Sequence, residues 1–266
     1  MNRNHYEIKL HEGHRYITFP VLTDMGIKNC FTTSDILSGN SGEAELKRDY
    51  EETFRFMDSS QDVRFFTSQV HSDGIKVISS SEEGAPFYAG RFFEDTDGLI
   101  TGLRNTVLVT RFADCTPVVI IDPVKKVMAN LHSGWRGTSK KIFLKAADIM
   151  CNQFGSLPQD LTVIIGPCIG YDDFEIQSDV LDIFRGSFGD INGFYRQKDQ
   201  LHYLLDMQGI IERSLVSYGI KESNIYTADI STFSSELMHS YRRNPKSSGR
   251  MLMAVSISFY RISVIL

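Results

Sequence analysis

The sequence predicts an α/β (α+β) protein: one α/β/α sandwich around a mixed β-sheet, with residues 1–266 forming a single domain. Three observations predict it. Between Leu99 and His132, short segments rich in β-branched residues follow one another over tight connections, the mark of a largely buried sheet. After His132 the apolar spacing changes from the strand period to three-to-four, the helical one. Helical and strand segments then alternate toward the carboxyl end, with no internal repeat and no linker.

In chain order, Arg15 to Phe19 and Ile27 to Thr33 read as strands separated by turn-forming residues. Ser38 to Gly42 is a Gly/Ser/Asn loop. Ala44, Leu46, Tyr50, Phe54 and Met57 recur at helical spacing within a charged stretch, so Gly42 to Met57 is a surface helix. Val63 to Val70 and Ile75 to Ser79 are strands flanking a turn in which Gly74 permits positive φ. Ser80 to Gly90 is a polar loop. Strands follow at Leu99 to Thr101, Thr106 to Arg111, Pro117 to Ile121 and Lys126 to His132. A helix with Ile142, Ala146, Ile149, Met150 and Phe154 on one face starts near Thr138 or Ser139 as N-cap and stops before Gly155. Leu161 to Gly166 is a strand, Val180 to Phe188 and Met207 to Tyr218 are helices, and Asn224 to Ala228 and Met251 to Phe259 are strands.

Composition narrows the function classes. Apolar residues at 42% and charged residues at 23% are the balance of a globular protein with a sizeable core. A net charge of −5 argues against general nucleic-acid binding, which needs clustered Lys and Arg. No apolar run reaches the length of a signal peptide or a membrane span, so the expectation is a cytosolic protein without membrane contact. Cys30, Cys115, Cys151 and Cys168 have no paired spacing, and reduced thiols are expected, with Cys30 and Cys151 as small buried hydrophobes.

Chemistry concentrates on His71, Cys115 and His132, each at the end of a short apolar segment. Two imidazoles and a thiolate suit zinc, and three protein ligands leave a fourth position open, as in catalytic sites. The spacings match no compact zinc motif. A thiol nucleophile at Cys115 with a histidine base is equally compatible with these residue types, and so are a turn histidine, a capping histidine and a buried thiol. The turn Ser133-Gly134-Trp135-Arg136-Gly137 adds backbone N–H groups and a guanidinium suited to an anion, beside an indole able to stack on a base.

Several motifs occur together: Gln69-Val70-His71, Asp95-Thr96-Asp97-Gly98-Leu99-Ile100-Thr101, Ala113-Asp114-Cys115, His132-Ser133-Gly134-Trp135-Arg136-Gly137-Thr138, Ile165-Gly166-Pro167-Cys168-Ile169 and Ser240-Tyr241-Arg242-Arg243. In this order they resemble the YfiH/laccase-domain family, from about Phe65 onward. The resemblance implies a zinc site from His71, Cys115 and His132, and phosphorolysis of adenosine, inosine and methylthioadenosine, with adenosine deamination as a second activity. It also carries an older description as a copper polyphenol oxidase, a link to peptidoglycan-precursor editing, and likeness to a toxin deamidase that uses a Cys-His pair. On this basis His71, Cys115, His132 and Arg136 are expected to be catalytic. Gln69, Trp135, Arg136 and Arg242 would bind purine nucleosides and phosphate, with Arg243 beside Arg242 as a further cation. A homodimer is compatible with all of this.

The available histidines discriminate among these activities. His5, His11, His14, His71, His132, His202 and His239 contain no His-x-His, and a multicopper oxidase needs many paired imidazoles. A laccase mechanism is therefore disfavoured. Deamination at a purine ring suits a Lewis-acidic zinc, and phosphorolysis needs an anion pocket, for which Arg136 comes first. The chain departs from the family in Ile36 to Gly42, which keeps only a fragment of an Asn-Leu-Gly stretch, in Ser72 where glycine is common, and in Ser231 to Ser235, which lacks cysteines. The rival expectations are a Cys115 thiol hydrolase or amidase and a metal-stabilised interaction module.

Overall fold

The computed structural model describes residues 2–3, 5–37, 39 and 41–257. Its centre is two mixed sheets packed face to face. One has eight strands in the spatial order Glu7–His11, His14–Thr18, Ile27–Thr32, Met251–Ile257, Thr106–Phe112, Val63–Thr67, Gly90–Phe93, Ala85–Phe87. The other has seven: Asn2–Arg3, Ile225–Thr227, Thr162–Ile165, Thr116–Asp122, Val127–Ser133, Gly98–Thr101, Ile75–Ile78. The expected α/β class with mixed strands and helices on the outer faces holds, and the strands divide between two sheets.

Period-two alternation explains the layering. Along Thr106–Phe112, Leu108 and Phe112 face the other sheet, where they pack with Phe31, Phe65, Val119, Ile121 and Met128. Val107 and Val109 face outward against Tyr50 and Phe54 of the Glu43–Phe56 helix. Each such apolar side chain, once buried, contributes about 1.5–3 kcal/mol. The outer face of the seven-stranded sheet is covered by Ile142, Ala146 and Met150 of the Ile142–Phe154 helix and Ile211 and Leu215 of the Met207–Tyr218 helix. Buried Asn130 ties the sheets: its Oδ1 accepts from Thr110 Oγ1 at 2.7 Å, and its Nδ2 donates to Leu108 O at 2.9 Å and Met253 O at 2.8 Å. This link lies two residues before His132.

Several local expectations change. The Ser80–Gly90 loop contains the strand Ala85–Phe87, which pairs with Gly90–Phe93. The segment before Ile27 holds a short helix, Pro20–Asp24. Val63–Thr67 and Ile75–Ile78 flank the His71 turn but join different sheets, so that turn bridges them. Its positive φ angles fall on Gln69 (52°) and His71 (60°) rather than on Gly74. Thr138 and Ser139 do not cap the following helix, because their hydroxyls donate backward to Ser133 O and Arg136 O and close a separate turn, Trp135–Ser139. The longer helix starts at Ile142 after Lys141 and ends, as expected, at a left-handed Gly155. Cys30 is buried and Cys151 only half-buried. Ser38 and Asn40 of the predicted loop, and the last two residues of the Met251 to Phe259 strand, lie outside the described residues.

A small sheet of Glu175–Gln177, His202–Leu205 and Tyr195–Gln197, with the Ser178–Phe188 helix, packs its own apolar cluster against Trp135. Among the described residues no helix is long and apolar enough to cross a membrane.

Candidate functional site

Three chain segments converge at one end of the paired sheets. His71 lies in the bridging turn after Val63–Thr67, Cys115 in the turn between Thr106–Phe112 and Thr116–Asp122, and His132 near the end of Val127–Ser133. Their donor atoms all lie within 4.8 Å of one another. The two imidazoles meet nearly edge to face, with centroids 4.9 Å apart at 80°. Burial grades across the set: His132 is buried, Cys115 half-buried and His71 exposed.

Buried Asp97 organises two of the three. One carboxylate oxygen accepts from His132 Nδ1 at 2.8 Å and from the backbone N–H of His71 at 3.0 Å. The other accepts from the N–H of Val70 at 3.2 Å and from Ser72 N and Oγ, both at 2.8 Å. The same residue's carbonyl accepts from His132 N at 2.7 Å. These bonds stabilise the left-handed backbone at His71, which a histidine adopts only when held there. They also fix His132 with Nδ1 turned inward, so that Nε2 faces Cys115 and the cavity. Nothing in the sequence motif Asp95-Thr96-Asp97-Gly98 separates this carboxylate from an ordinary turn aspartate, since its partners are mostly backbone N–H groups.

Cys115 is held by its neighbour. Asp114 has φ 83°, and its carboxylate accepts from Thr232 Oγ1 at 2.7 Å and from Arg242 N at 2.6 Å, which pins the turn from two sides. Burial opposes the Cys115 thiolate, but the charge of His132 and hydrogen bonds from His132 and His71 outweigh it and lower the thiol's pKa. His132 shows the converse: burial disfavours the imidazolium, while Cys115 and Asp97 raise its pKa. Cys168, enclosed and without such partners, is pushed up to about 12 by burial.

The donor set fits one metal ion that accepts imidazole and thiolate. Gly134 supports the fit. A Cβ there would stand 3.0 Å from His71 Cδ2 and 3.1 Å from Cys115 Sγ, so glycine keeps the space above the three donors open. Gly134→Ala is expected to weaken metal binding by about tenfold or more, because the His71 ring and the Cys115 sulfur must give way to admit the methyl group. Competition against a chromogenic chelator measures it.

The centre opens into a cavity of about 600 Å³ whose lining includes Gln69, Trp135, Phe174, Tyr241 and Arg242. Trp135 is half-buried and packs on the Ile169 and Phe174 cluster. Gln69 reaches the cavity, and its amide is held at both ends: Nε2 donates to Arg111 O at 2.5 Å and Oε1 accepts from Arg111 N at 2.7 Å. Its side chain therefore joins the His71 turn to the Thr106–Phe112 strand. Arg242 lines the cavity and donates to Glu175 O at 3.1 Å.

Two expected cations stand elsewhere. Arg136 is exposed and outside the cavity lining, its guanidinium 4.2 Å from the Trp135 ring centroid. Consecutive residues of the Trp135–Ser139 turn are rotated by about 100°, which sets the Arg136 backbone direction away from that of Trp135. Arg243 is a structural tie, donating to the carbonyls of Thr232 (3.1 Å), Phe233 (2.7 Å), Ser235 (2.9 Å) and Met238. Arg243→Ala is expected to cost about 2–3 kcal/mol by leaving those carbonyls unpaired, read as a lowered denaturant midpoint. Lysine should not restore it, lacking the planar fork. The cavity's other arginines, Arg111 and Arg250, come from outside the recognisable motifs and are brought in by strand pairing.

Comparison with known proteins agrees with this picture. The family described as multi-copper polyphenol oxidoreductase laccase matches residues 37–258. The Bacillus subtilis protein named purine nucleoside phosphorylase YlmD is 28% identical over 195 residues, 72% of this chain and 70% of its own length. A purine nucleoside phosphorylase of Clostridium acetobutylicum is 36% identical over 189 residues, 70% of this chain and 73% of its own. A protein named adenosine deaminase, from an unknown prokaryotic organism, is 30% identical over 133 residues, half of each chain. Among solved structures, hypothetical protein YfiH of Bacillus licheniformis superposes with a TM-score of 0.84 at 23% identity, covering 94% of this chain and 99% of its own. YlmD of Geobacillus stearothermophilus gives 0.84 at 22%, covering 95% and 99%. These two establish the fold. The match over residues 37–258 and the 36% identity to the clostridial relative place this chain in the laccase-like family of YfiH and YlmD, to which it belongs.

Proposed function

We propose that this protein is a zinc-dependent enzyme of purine nucleosides that cleaves adenosine, inosine and methylthioadenosine with phosphate and deaminates adenosine as a second activity. The observation that carries the proposal is the convergence of His71, Cys115 and His132 at the floor of a cavity with aromatic walls and arginines. His71, Cys115 and His132 would hold the ion, which supplies Lewis acidity when bound. Trp135, Phe174 and Tyr241 offer faces on which a purine can stack. Arg242 offers a guanidinium to phosphate. In phosphorolysis a phosphate oxygen forms the bond to C1′ of the ribose while the C1′–N9 bond breaks, and the leaving purine takes up a proton. The relatives named purine nucleoside phosphorylase and adenosine deaminase support an enzyme of this kind.

Incubating the purified protein with adenosine and phosphate should yield ribose 1-phosphate equal to the sum of adenine and hypoxanthine, the hypoxanthine arising from inosine of the deaminating branch. No product from any purine nucleoside would remove the proposal.

One observation favours a second reading. His132 stands between Asp97 and Cys115, the order of a thiol hydrolase or amidase in which a carboxylate orients a base beside a sulfur nucleophile. Under that reading a chelated, metal-free protein retains full activity on its amide or ester substrate, peptidoglycan precursors included. The copper oxidase reading is disfavoured, because the described residues bring together one such group, His71, Cys115 and His132.

A further inference from the structure

The metal centre leaves one edge of the cavity without a task. In the antiparallel pair of Thr106–Phe112 with Met251–Ile257, Phe112 lies opposite Met251 and Arg111 opposite Leu252. Leu252 packs on the outer face of the sheet and Met251 on the inner one. By alternation Arg111 and Arg250 therefore share the outer face, one diagonal step apart, about 7–8 Å between their backbones. The parallel pairing of Thr106–Phe112 with Val63–Thr67 sets Leu108 opposite Phe65, and the register, continued three residues further, brings Ser68 level with Arg111. Ser68 and Arg250, each one residue beyond the end of its strand, thus flank Arg111 when the registers are continued, and all three line the cavity.

The row is cationic and open to a ligand. The Arg111 guanidinium has no ion pair or hydrogen bond to another described residue, although the residue is half-buried. Its backbone is clamped on both sides by the Gln69 amide, so its position is tied to the turn that carries His71. Arg250 donates from Nη1 to Ser248 O at 3.1 Å and Gly249 O at 2.8 Å, which orients the guanidinium. Ser68 Oγ accepts from Asp95 N at 2.7 Å, and its O–H is left to donate. The carboxylate in the lining, Asp114, has both oxygens occupied by Thr232 and Arg242 N. Two guanidinium groups and a hydroxyl in a row match a tetrahedral dianion.

We propose that Ser68, Arg111 and Arg250 form a phosphate subsite, taking inorganic phosphate or the phosphate monoester of a purine nucleotide. The proposal rests on the nucleoside-phosphorylase reading for what the bound dianion does, and on the row alone for the binding. Titration calorimetry on the intact, metal-loaded protein tests it with three probes: inorganic phosphate, adenosine 5′-monophosphate and adenosine. Arg111→Gln should weaken phosphate binding by about 10- to 100-fold, the worth of a charged hydrogen-bonding pair, and leave adenosine binding within about twofold. If free phosphate is the occupant, it binds the wild type together with adenosine. If the monoester is, the monophosphate binds more tightly than adenosine and loses that margin in Arg111→Gln.

Circular dichroism checks that the variant is folded. Should it unfold, Arg250→Gln carries the same expectation. Unchanged binding of phosphate and monophosphate in a folded variant, or no binding of either by the wild type, overturns the subsite. Arg111-dependent binding without turnover of any purine nucleoside overturns the phosphorylase reading alone.

Discussion

Cys115→Ala is expected to lower kcat/KM for purine nucleosides by about 10³-fold, the loss that accompanies removal of a principal electrostatic element at a reacting centre. The thiol is the anionic donor of a three-donor set whose atoms lie within 4.8 Å of one another. Without it two imidazoles remain, a weak and indifferent site for a zinc-class ion. The fold should survive. Cys115 is half-buried, and its turn is held by Asp114 through Thr232 and Arg242 rather than by the sulfur. Metal content and far-ultraviolet circular dichroism, measured beside turnover, separate the cases: a folded, metal-poor and inactive variant is the expectation, whereas an unfolded one indicates a metal-stabilised interaction module.

Asp97→Asn should have the second largest effect, a fall in metal affinity of about 10- to 100-fold together with a loss of stability. The carboxylate accepts from His132 Nδ1, three successive backbone N–H groups and the Ser72 hydroxyl, all within 3.2 Å. An asparagine presents an NH₂ where one acceptor stood, so at least one buried donor loses its partner, at about 1–3 kcal/mol. The dual position matters more. One substitution loosens both the tautomer of His132 and the left-handed turn that aims His71. A residue important only for folding would lower the denaturant midpoint without changing the metal dissociation constant of the folded protein.

How much of this is legible in the sequence depends on whether the signal is local. The Glu43–Phe56, Ile142–Phe154 and Met207–Tyr218 helices are readable because each keeps an apolar stripe and ends at a glycine or a polar turn. The Glu7–His11 strand is not, since four of its five residues are exposed at the sheet edge and carry little apolar signal. The division of the strands between two sheets is equally hidden, because short connections in sequence do not reveal which sheet a strand joins.

The candidate site follows the same logic. His71, Cys115 and His132 stand out by residue type and motif, and they do meet. Asp97 acts through backbone N–H groups, which have no residue signature. Arg111 and Arg250 lie 139 positions apart, and the register of the Thr106–Phe112 and Met251–Ile257 pair brings them together. Arg136 shows the converse. It lies inside the most recognisable motif, yet one helical step turns it to solvent, and the arginines that reach the cavity are Arg111, Arg242 and Arg250.

The central claim is that His71, Cys115 and His132 serve as ligands of one metal and that the sulfur is not a nucleophile. Elemental analysis of the purified chain, before and after chelation, with adenosine phosphorolysis followed in parallel, tests it most directly. The account predicts about one zinc per chain, activity lost with the metal and restored by adding it back, and no stoichiometric zinc in Cys115→Ala. A metal-free protein that turns over at the full rate, with substrate carbon trapped on Cys115, would contradict it.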